Sequence, residues 1–70
     1  MNVIIEMKIK EVRQEKGISV RKLSEMTGIS KTYISDVENN HKIPTLYTLC
    51  IIAAYLEVSP NALFAYKIIK

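Results

Sequence analysis

A connector of only three residues, Gly28-Ile29-Ser30, separates two helix-like segments near the middle of the chain. Gly28 can adopt the left-handed backbone that ends a helix, and the Ser30 hydroxyl can cap the helix that follows. That second segment is predicted to run from Lys31 to about Glu38. Because so short a turn forces the two helices to cross steeply, we expect a sharp helical corner. The small residue Ser24 lies where the helices approach.

Residues that end or cap helices predict three further helices elsewhere in the chain. They also mark the start of the first helix of the corner. No segment shows the strict two-residue alternation of a half-buried strand. We therefore expect an all-α fold: residues 1–70 as one domain, a compact five-helix structure with short connections. The helices are placed by these signals: Met7 to about Glu15 with a stop at Gly17, a cap at Ser19, a cap at Thr45 before Leu46 to Leu56, and Ser59-Pro60 before the last helix.

Composition narrows the class of protein. The chain is 49% hydrophobic and 24% charged, close to the average for globular proteins, and its formal net charge is +3. Basic residues are concentrated between Lys8 and Lys42, while only Glu57 is charged from Ile43 to Tyr66. A mildly basic half is compatible with nucleic acid. No apolar run approaches the ~20 residues of a membrane helix, and no signal peptide is recognisable, so we expect a cytoplasmic protein without membrane contact.

The helix after the corner has few positions that demand burial. Ile34 and Val37 should face the core, together with Ile29 of the turn. The opposite face is then uncovered, and it is either an ordinary solvated helix face or a surface for the edges of DNA bases. Its residues are Lys31, Thr32, Ser35, Asp36 and Asn39.

The residues from Met7 to Phe64 resemble a Cro-type, lambda-repressor-like helix-turn-helix domain. The strongest matches are EVRQEKGIS, TGISKTYISDVEN, PTLYTL and LEVSPNALF. The resemblance implies a five-helix domain that binds double-stranded DNA with its third helix in the major groove. It also implies a regulator, commonly a repressor, a controller or an antitoxin, and often a dimer.

The resemblance assigns roles to residues of the corner. Residues expected to contact bases are Lys31, Thr32, Ser35 and Asp36, since lysine suits guanine, aspartate suits the cytosine amino group and threonine suits thymine. Tyr33 is expected either to pack on the helix flank or to donate to a phosphate. Val20 stands where many relatives have a glutamine, and it cannot make that side-chain hydrogen bond. Asn40 stands where relatives usually have a glycine, and it should keep the same turn. Residues expected to contact phosphates are Arg21, Lys22, Tyr33, Asn39, His41, Lys42 and Thr45.

Arg13 and Glu38 are interpreted as a structural clamp. In similar domains an arginine of the first helix pairs with a glutamate at the end of the third, and a half-buried pair of this kind fixes geometry. Glu38 is therefore left out of the base-contacting set. His41 and Cys50 are the only histidine and cysteine, they provide no metal-ligand set, and Cys50 is expected to be a buried thiol. We expect no cofactor, no metal and no enzymatic activity.

The second half of the chain is unusually apolar. In the fourth helix, one stripe should face the core: Leu46, Leu49, Ile52, Ala53 and Leu56. A second apolar face and the tail are interpreted as a homodimer interface, made of Tyr47, Ile51, Ala54, Tyr66, Ile68 and Ile69. Alternatively, the two terminal extensions only enlarge the core, or the runs VII and KIIK pair as strands across subunits.

These observations favour a sequence-specific DNA-binding transcriptional regulator, a dimeric repressor of an inverted-repeat operator read in the major groove. The alternative function is an antitoxin or protein-interaction module. Such a module would bind a partner protein through the apolar face of the fourth helix and the tail.

Overall fold

The computed structural model describes all residues from 1 to 70. Two short strands at the chain ends enclose four α-helices. The elements in chain order are strand β1 (Asn2–Met7), helices α1 (Ile9–Glu15), α2 (Val20–Thr27), α3 (Lys31–Glu38) and α4 (Leu46–Leu56), a 3₁₀ helix (Pro60–Leu63) and strand β2 (Phe64–Ile69).

The predicted all-α, five-helix fold is wrong. The segment after Ser59 forms only four residues of 3₁₀ helix, and at Phe64 the backbone becomes extended, with φ −155° and ψ 159°. From there β2 pairs antiparallel with β1. The β-branched residues near both ends favour this extended form, because their restricted χ1 angles suit a pleated surface. The α1 helix correspondingly begins at Ile9 rather than Met7, since Met7 belongs to the strand.

The predicted caps of the three central helices are confirmed. The hydroxyl oxygens of Ser19, Ser30 and Thr45 each accept a hydrogen bond from the backbone N–H three residues later, at 3.0 to 3.1 Å. Each satisfies one of the orphan amides of a helix N-terminus. The helix boundaries around the corner therefore follow from local hydrogen bonds that the sequence specifies.

A single core joins the helices to the base of the ribbon formed by β1 and β2. Met7 contributes from the end of β1, and Leu63 contributes from the 3₁₀ helix. Leu46, predicted to face the core, is 73% exposed, because the first turn of α4 extends beyond the packed interior. Cys50, predicted to be a buried thiol, is also exposed. The core residues are Met7, Ile9, Leu23, Ile34, Val37, Leu49, Ile52, Ala53, Leu56 and Leu63.

The register of the ribbon separates its side chains into two faces. Met7 pairs with Phe64, Ile5 with Tyr66 and Val3 with Ile68, and these six residues are called the apolar ribbon face. The other face carries Asn2, Ile4, Glu6, Ala65, Lys67 and Ile69. The VII and KIIK runs thus pair within one chain rather than across subunits. No helix is long and apolar enough to cross a membrane.

Candidate nucleic-acid interface

Hydrogen bonds close the corner between α2 and α3. Gly28 has a φ of +76°, and its N–H donates to the carbonyl of Ser24. The Ser24 hydroxyl donates in turn to the carbonyl of Ile29 at 2.6 Å. Thr27 adds a second side-chain contact, donating to the carbonyl of Leu23 and accepting from the N–H of Ile29. Ser24 is thus both small enough for the close approach and a hydrogen-bond donor across the turn, which fixes the angle between the helices.

The corner places α3 with one face on the core. Ile34 and Val37 are completely buried, so the residues half a turn away point outward. Four predicted DNA-contacting residues are exposed together on this outer face: Lys31, Thr32, Ser35 and Asn39. The Asn39 amide donates to the Ser35 hydroxyl over 3.4 Å. This outer face of α3 presents one cation and three polar side chains.

Arg13 and Glu38 form a two-pronged ion pair beneath α3. The Arg13 Nε donates to Glu38 Oε2 at 2.8 Å, and Nη2 donates to Oε1 at 3.0 Å. The remaining Nη1 donates to the carbonyl of Ile18 at 2.9 Å. The hydrogen bond with Glu38 raises the pKa of Arg13 above its ordinary value, and the attraction between the charges adds to this against the opposing effect of burial.

The pair joins three parts of the chain. The side chains of Arg13 and Glu38 are only 9% and 6% exposed. The guanidinium therefore connects α1, the loop after it and the last turn of α3. Because its carboxylate oxygens accept from Arg13 inside the molecule, Glu38 faces away from the outer face of α3.

Asp36 lies at the flank of α3 rather than at the centre of the outer face. Its side chain is 32% exposed, and its two carboxylate oxygens each lie 3.8 Å from a side-chain nitrogen, His41 Nδ1 and Lys42 Nζ. The Lys42 ammonium also lies 5.5 Å from the centre of the Tyr33 ring. Tyr33 itself is half-buried and packs against the core. The carboxylate of Asp36 is thus directed toward the loop that follows α3.

That loop connects α3 to the ribbon as well as to α4. Asn40 adopts a φ of +61°. This is the left-handed conformation that glycine favours and that asparagine tolerates better than most residues. Its side-chain oxygen accepts from the backbone N–H of Met7 at 3.3 Å. The N–H of His41 donates to the carbonyl of Asp36 at 2.8 Å. The sequence does not reveal this hydrogen bond between Asn40 and β1, because its partner is 33 positions away.

The remaining predicted phosphate contacts lie on two helix N-termini. Arg21 and Lys22 are exposed in the first turn of α2, where Arg21 Nε lies 3.7 Å from Glu25. Thr45 begins α4, and its hydroxyl is engaged in capping and in a hydrogen bond to the Thr48 hydroxyl at 3.0 Å. The positive ends of both helices suit phosphate binding. No group of three or more His, Cys, Asp or Glu side chains is arranged to hold a metal ion.

The six predicted dimer residues do not share one surface. Tyr47 and Ala54 are exposed and Ile51 is half-buried on the outward side of α4. Tyr66 and Ile68 belong to the apolar ribbon face, whereas the register places Ile69 on the opposite face. Between α4 and the ribbon runs an apolar groove that the sequence did not predict, here called the ribbon groove. It is lined by Ile5, Met7, Ile43, Pro44, Leu46, Leu49 and Phe64.

Comparison with known proteins identifies relatives of this arrangement. A family model described as helix-turn-helix matches residues 9–63. The chain is 37% identical over 65 residues to the HTH-type transcriptional regulator SinR of Bacillus subtilis, an alignment of 91% of this chain and 59% of SinR. The chain therefore spans about three fifths of the length of that relative.

Solved structures show the same architecture. SinR, crystallised as a master regulator of biofilm formation in complex with DNA, superposes with a TM-score of 0.72 and 39% identity, covering 76% of this chain and 86% of that one. A Bacteroides fragilis protein whose assignment as DNA-binding is provisional superposes with a TM-score of 0.83 and 34% identity. That match covers 89% of this chain and 100% of the other.

Proposed function

This chain belongs to the helix-turn-helix family, and on that premise we propose that it is a sequence-specific DNA-binding transcriptional regulator, a repressor that reads its operator in the major groove through α3. The outer face of α3 is the observation that carries this proposal. Polar side chains occupy it, while Ile34 and Val37 on the reverse side hold it against the core. The likeness to SinR, which has been crystallised with DNA, supports the proposal.

Base contacts are assigned to the exposed part of that face and its flank. Lys31 suits the O6 and N7 atoms of guanine, and Thr32 offers a hydroxyl or a methyl group to thymine. Ser35 lies on the same exposed face, one turn further along. Asp36 can accept from the cytosine amino group, although it reaches the groove only from the flank, where its oxygens face the side chains of His41 and Lys42. We rank Asp36 below the other three as a reader.

Phosphate contacts surround this face. Lys42 and His41 follow α3 directly, and Asn39 ends its exposed stripe. Arg21 and Lys22 supply cations at the N-terminus of α2. Thr45 contributes the N-terminus of α4, and Tyr33 contributes a hydroxyl at the edge of the core. These contacts would position α3 without selecting a sequence.

The regulator is proposed to work in the cytoplasm as a homodimer. A two-fold pair would place its recognition helices about one DNA turn, ~34 Å, apart and would favour an inverted-repeat operator. The exposed apolar side chains of α4 and the ribbon support association. They equally support the second candidate function, an antitoxin or protein-interaction module that binds a partner protein there.

Selection from random duplexes with the purified chain tests the proposal. We expect enrichment of one short consensus, and binding of that consensus should weaken steeply as salt rises. Lys42→Ala should lower the salt slope by about one while preserving the consensus. Lys67→Ala, on strand β2 of the ribbon, is the charge-matched control and should leave both the salt slope and the consensus unchanged. Failure to enrich any sequence, together with retained binding to a partner protein, would favour the interaction module.

A further inference from the structure

The apolar ribbon face is an uncharged strip that leads away from the core. At its inner end Met7 is buried, at its centre Tyr66 is 64% exposed, and at its outer end Val3 and Ile68 are 56% and 49% exposed. The opposite face of the same two strands carries Glu6 and Lys67. The charged residues of the ribbon are therefore confined to one side.

Nothing in the chain covers the outer half of this strip. The molecule measures 40 × 21 × 20 Å, and only the inner ends of the two strands are buried or partly buried. A two-stranded ribbon by itself is marginally stable in water, and it normally needs a third strand or a packed surface. The apolar side chains in the outer half of the ribbon therefore have no packing partner within the chain.

The ribbon groove lies beside the inner half of the same strip. Ile5, Met7 and Phe64 of the apolar ribbon face form one of its sides. Ile43 and Leu46, each 73% exposed, stand on the other side. One continuous surface thus carries a projecting apolar end and an apolar groove.

We propose that the apolar ribbon face and the ribbon groove are the docking surface for a second copy of this chain. The two ribbons stack face to face and antiparallel about a two-fold axis near the central pair, Ile5 and Tyr66. The outer end of each strip then lies over the groove of the other copy. Such a contact is self-complementary and closes at two subunits, as an isologous interface does.

Charge and area favour this occupant. Each copy has a net charge of +3, but the contact itself buries no charge, since all six residues of the apolar ribbon face are uncharged. A standard interface buries about 800 Å² per partner, roughly a sixth of the 4832 Å² surface of this chain. The side chains that would supply this area are large and substantially exposed: Val3, Ile43, Leu46, Tyr66 and Ile68.

This interface differs from the one that the sequence alone suggests. Ile69 lies on the opposite ribbon face, and Ile51 and Ala54 belong to the outward face of α4. Ile43, which lines the groove, directly follows Lys42 in the sequence. Docking would therefore also immobilise the loop after α3, which is proposed to contact phosphates. The proposal rests on the proposed two-fold regulator, but association of the copies is measurable without DNA.

Two double variants of the full chain form the main test. Val3→Thr/Ile68→Thr makes the apolar ribbon face polar while keeping β-branched residues in a cross-strand pair. Ile4→Thr/Ile69→Thr places two threonines on the opposite face, where Ile4 pairs with Lys67 and Ile69 with Asn2, at positions of similar exposure, 51% and 44%. By sedimentation equilibrium without DNA, we expect the first variant to dimerise at least tenfold more weakly than the wild type. The second should dimerise within twofold of it.

Covalent trapping provides a second measurement. In a Cys50→Ser background, Tyr66→Cys places a thiol near the proposed axis, whereas Lys67→Cys places one on the opposite face. Mild oxidation should give a disulfide-linked dimer of the first variant and not of the second. Circular dichroism before oxidation verifies that both variants are folded.

Several results would overturn the proposal. They are a wild type that stays monomeric at 100 μM, equal weakening by the two double variants, and loss of dimer by Ala54→Glu alone. A monomer that binds a different protein through the groove would also overturn it, in favour of the interaction module. Binding of DNA half-sites by the Val3→Thr/Ile68→Thr monomer reports on the proposed function separately. If the wild type dimerises but does not bind DNA, the DNA-binding proposal is wrong and the proposed interface is unaffected.

Discussion

Two surfaces of this small molecule are uncovered, and they differ in chemistry. The outer face of α3 is polar, and buried anchors at Ile34 and Val37 hold its helix in place from behind. The apolar ribbon face is uncharged, and only its inner end rests on the core. Exposed polar groups remain hydrated at little cost, whereas exposed apolar area is unfavourable by about 25 cal/mol per Å².

The two surfaces need different support. A surface that reads bases must be rigid before its ligand arrives, because a small displacement misaligns the hydrogen bonds that discriminate bases. The ion pair of Arg13 with Glu38 and the hydrogen-bonded corner supply that rigidity. The outer half of the ribbon has no comparable support within the chain, which agrees with a surface that is completed by association.

The largest effect is expected when the support beneath α3 is removed. Arg13→Ala leaves the carboxylate of Glu38 buried without its partner, and breaking a buried pair typically costs about 3–5 kcal/mol. We expect a much lower urea midpoint and weaker DNA binding. Arg21→Ala removes a cation from an exposed pair and should change the free energy of unfolding by about 0–1 kcal/mol. An unchanged midpoint for Arg13→Ala would show that the pair does not act as a clamp.

A smaller effect is expected on the polar surface itself. Lys31→Ala should weaken binding to the selected operator by about 1–3 kcal/mol and relax the preference at one base position. Its folding stability should remain unchanged, because the side chain is exposed. Competition titrations with operators altered one base at a time measure this. A uniform loss over all sequences would instead assign Lys31 to a phosphate.

The link between the two surfaces can be tested at Asn40. Asn40→Ala loses the hydrogen bond to the N–H of Met7 and places a side chain without local hydrogen bonds at φ +61°. Since the left-handed conformation alone costs roughly 1–2 kcal/mol, we expect a destabilisation of about 2 kcal/mol in urea unfolding. Asn40→Gly removes the hydrogen bond but tolerates the backbone, so it should be the milder variant. Equal losses for both would mean that the hydrogen bond dominates.

A small effect on stability is expected at Asp36. Its contacts to His41 and Lys42 are long and partly exposed, so Asp36→Ala should change the unfolding free energy by about 0–1 kcal/mol. As a base reader it should alter the selected consensus at one position. An unaltered consensus with stronger binding to all duplexes would show that Asp36 acts only by holding Lys42 and His41.

The sequence also predicted features that depend on close neighbours. Ser19, Ser30 and Thr45 cap helices through an amide three residues away, and the structure forms each of these bonds. Exposure on α4 was less predictable. Leu46 and Cys50 fit an apolar helix pattern, yet both are exposed, because burial depends on where the core ends.

The local signals of the chain determined the corner, the helices on each side of it and the polar face of α3, because each rests on contacts within a few residues. Only the tertiary structure decided the ribbon. Asn2 pairs with Ile69 across nearly the whole chain, and no local pattern specifies a partner at such a distance. The strand register then separated Tyr66 and Ile68 from Ile69. Since successive side chains of a strand point to opposite faces, one residue of position decides which apolar side chains share a surface.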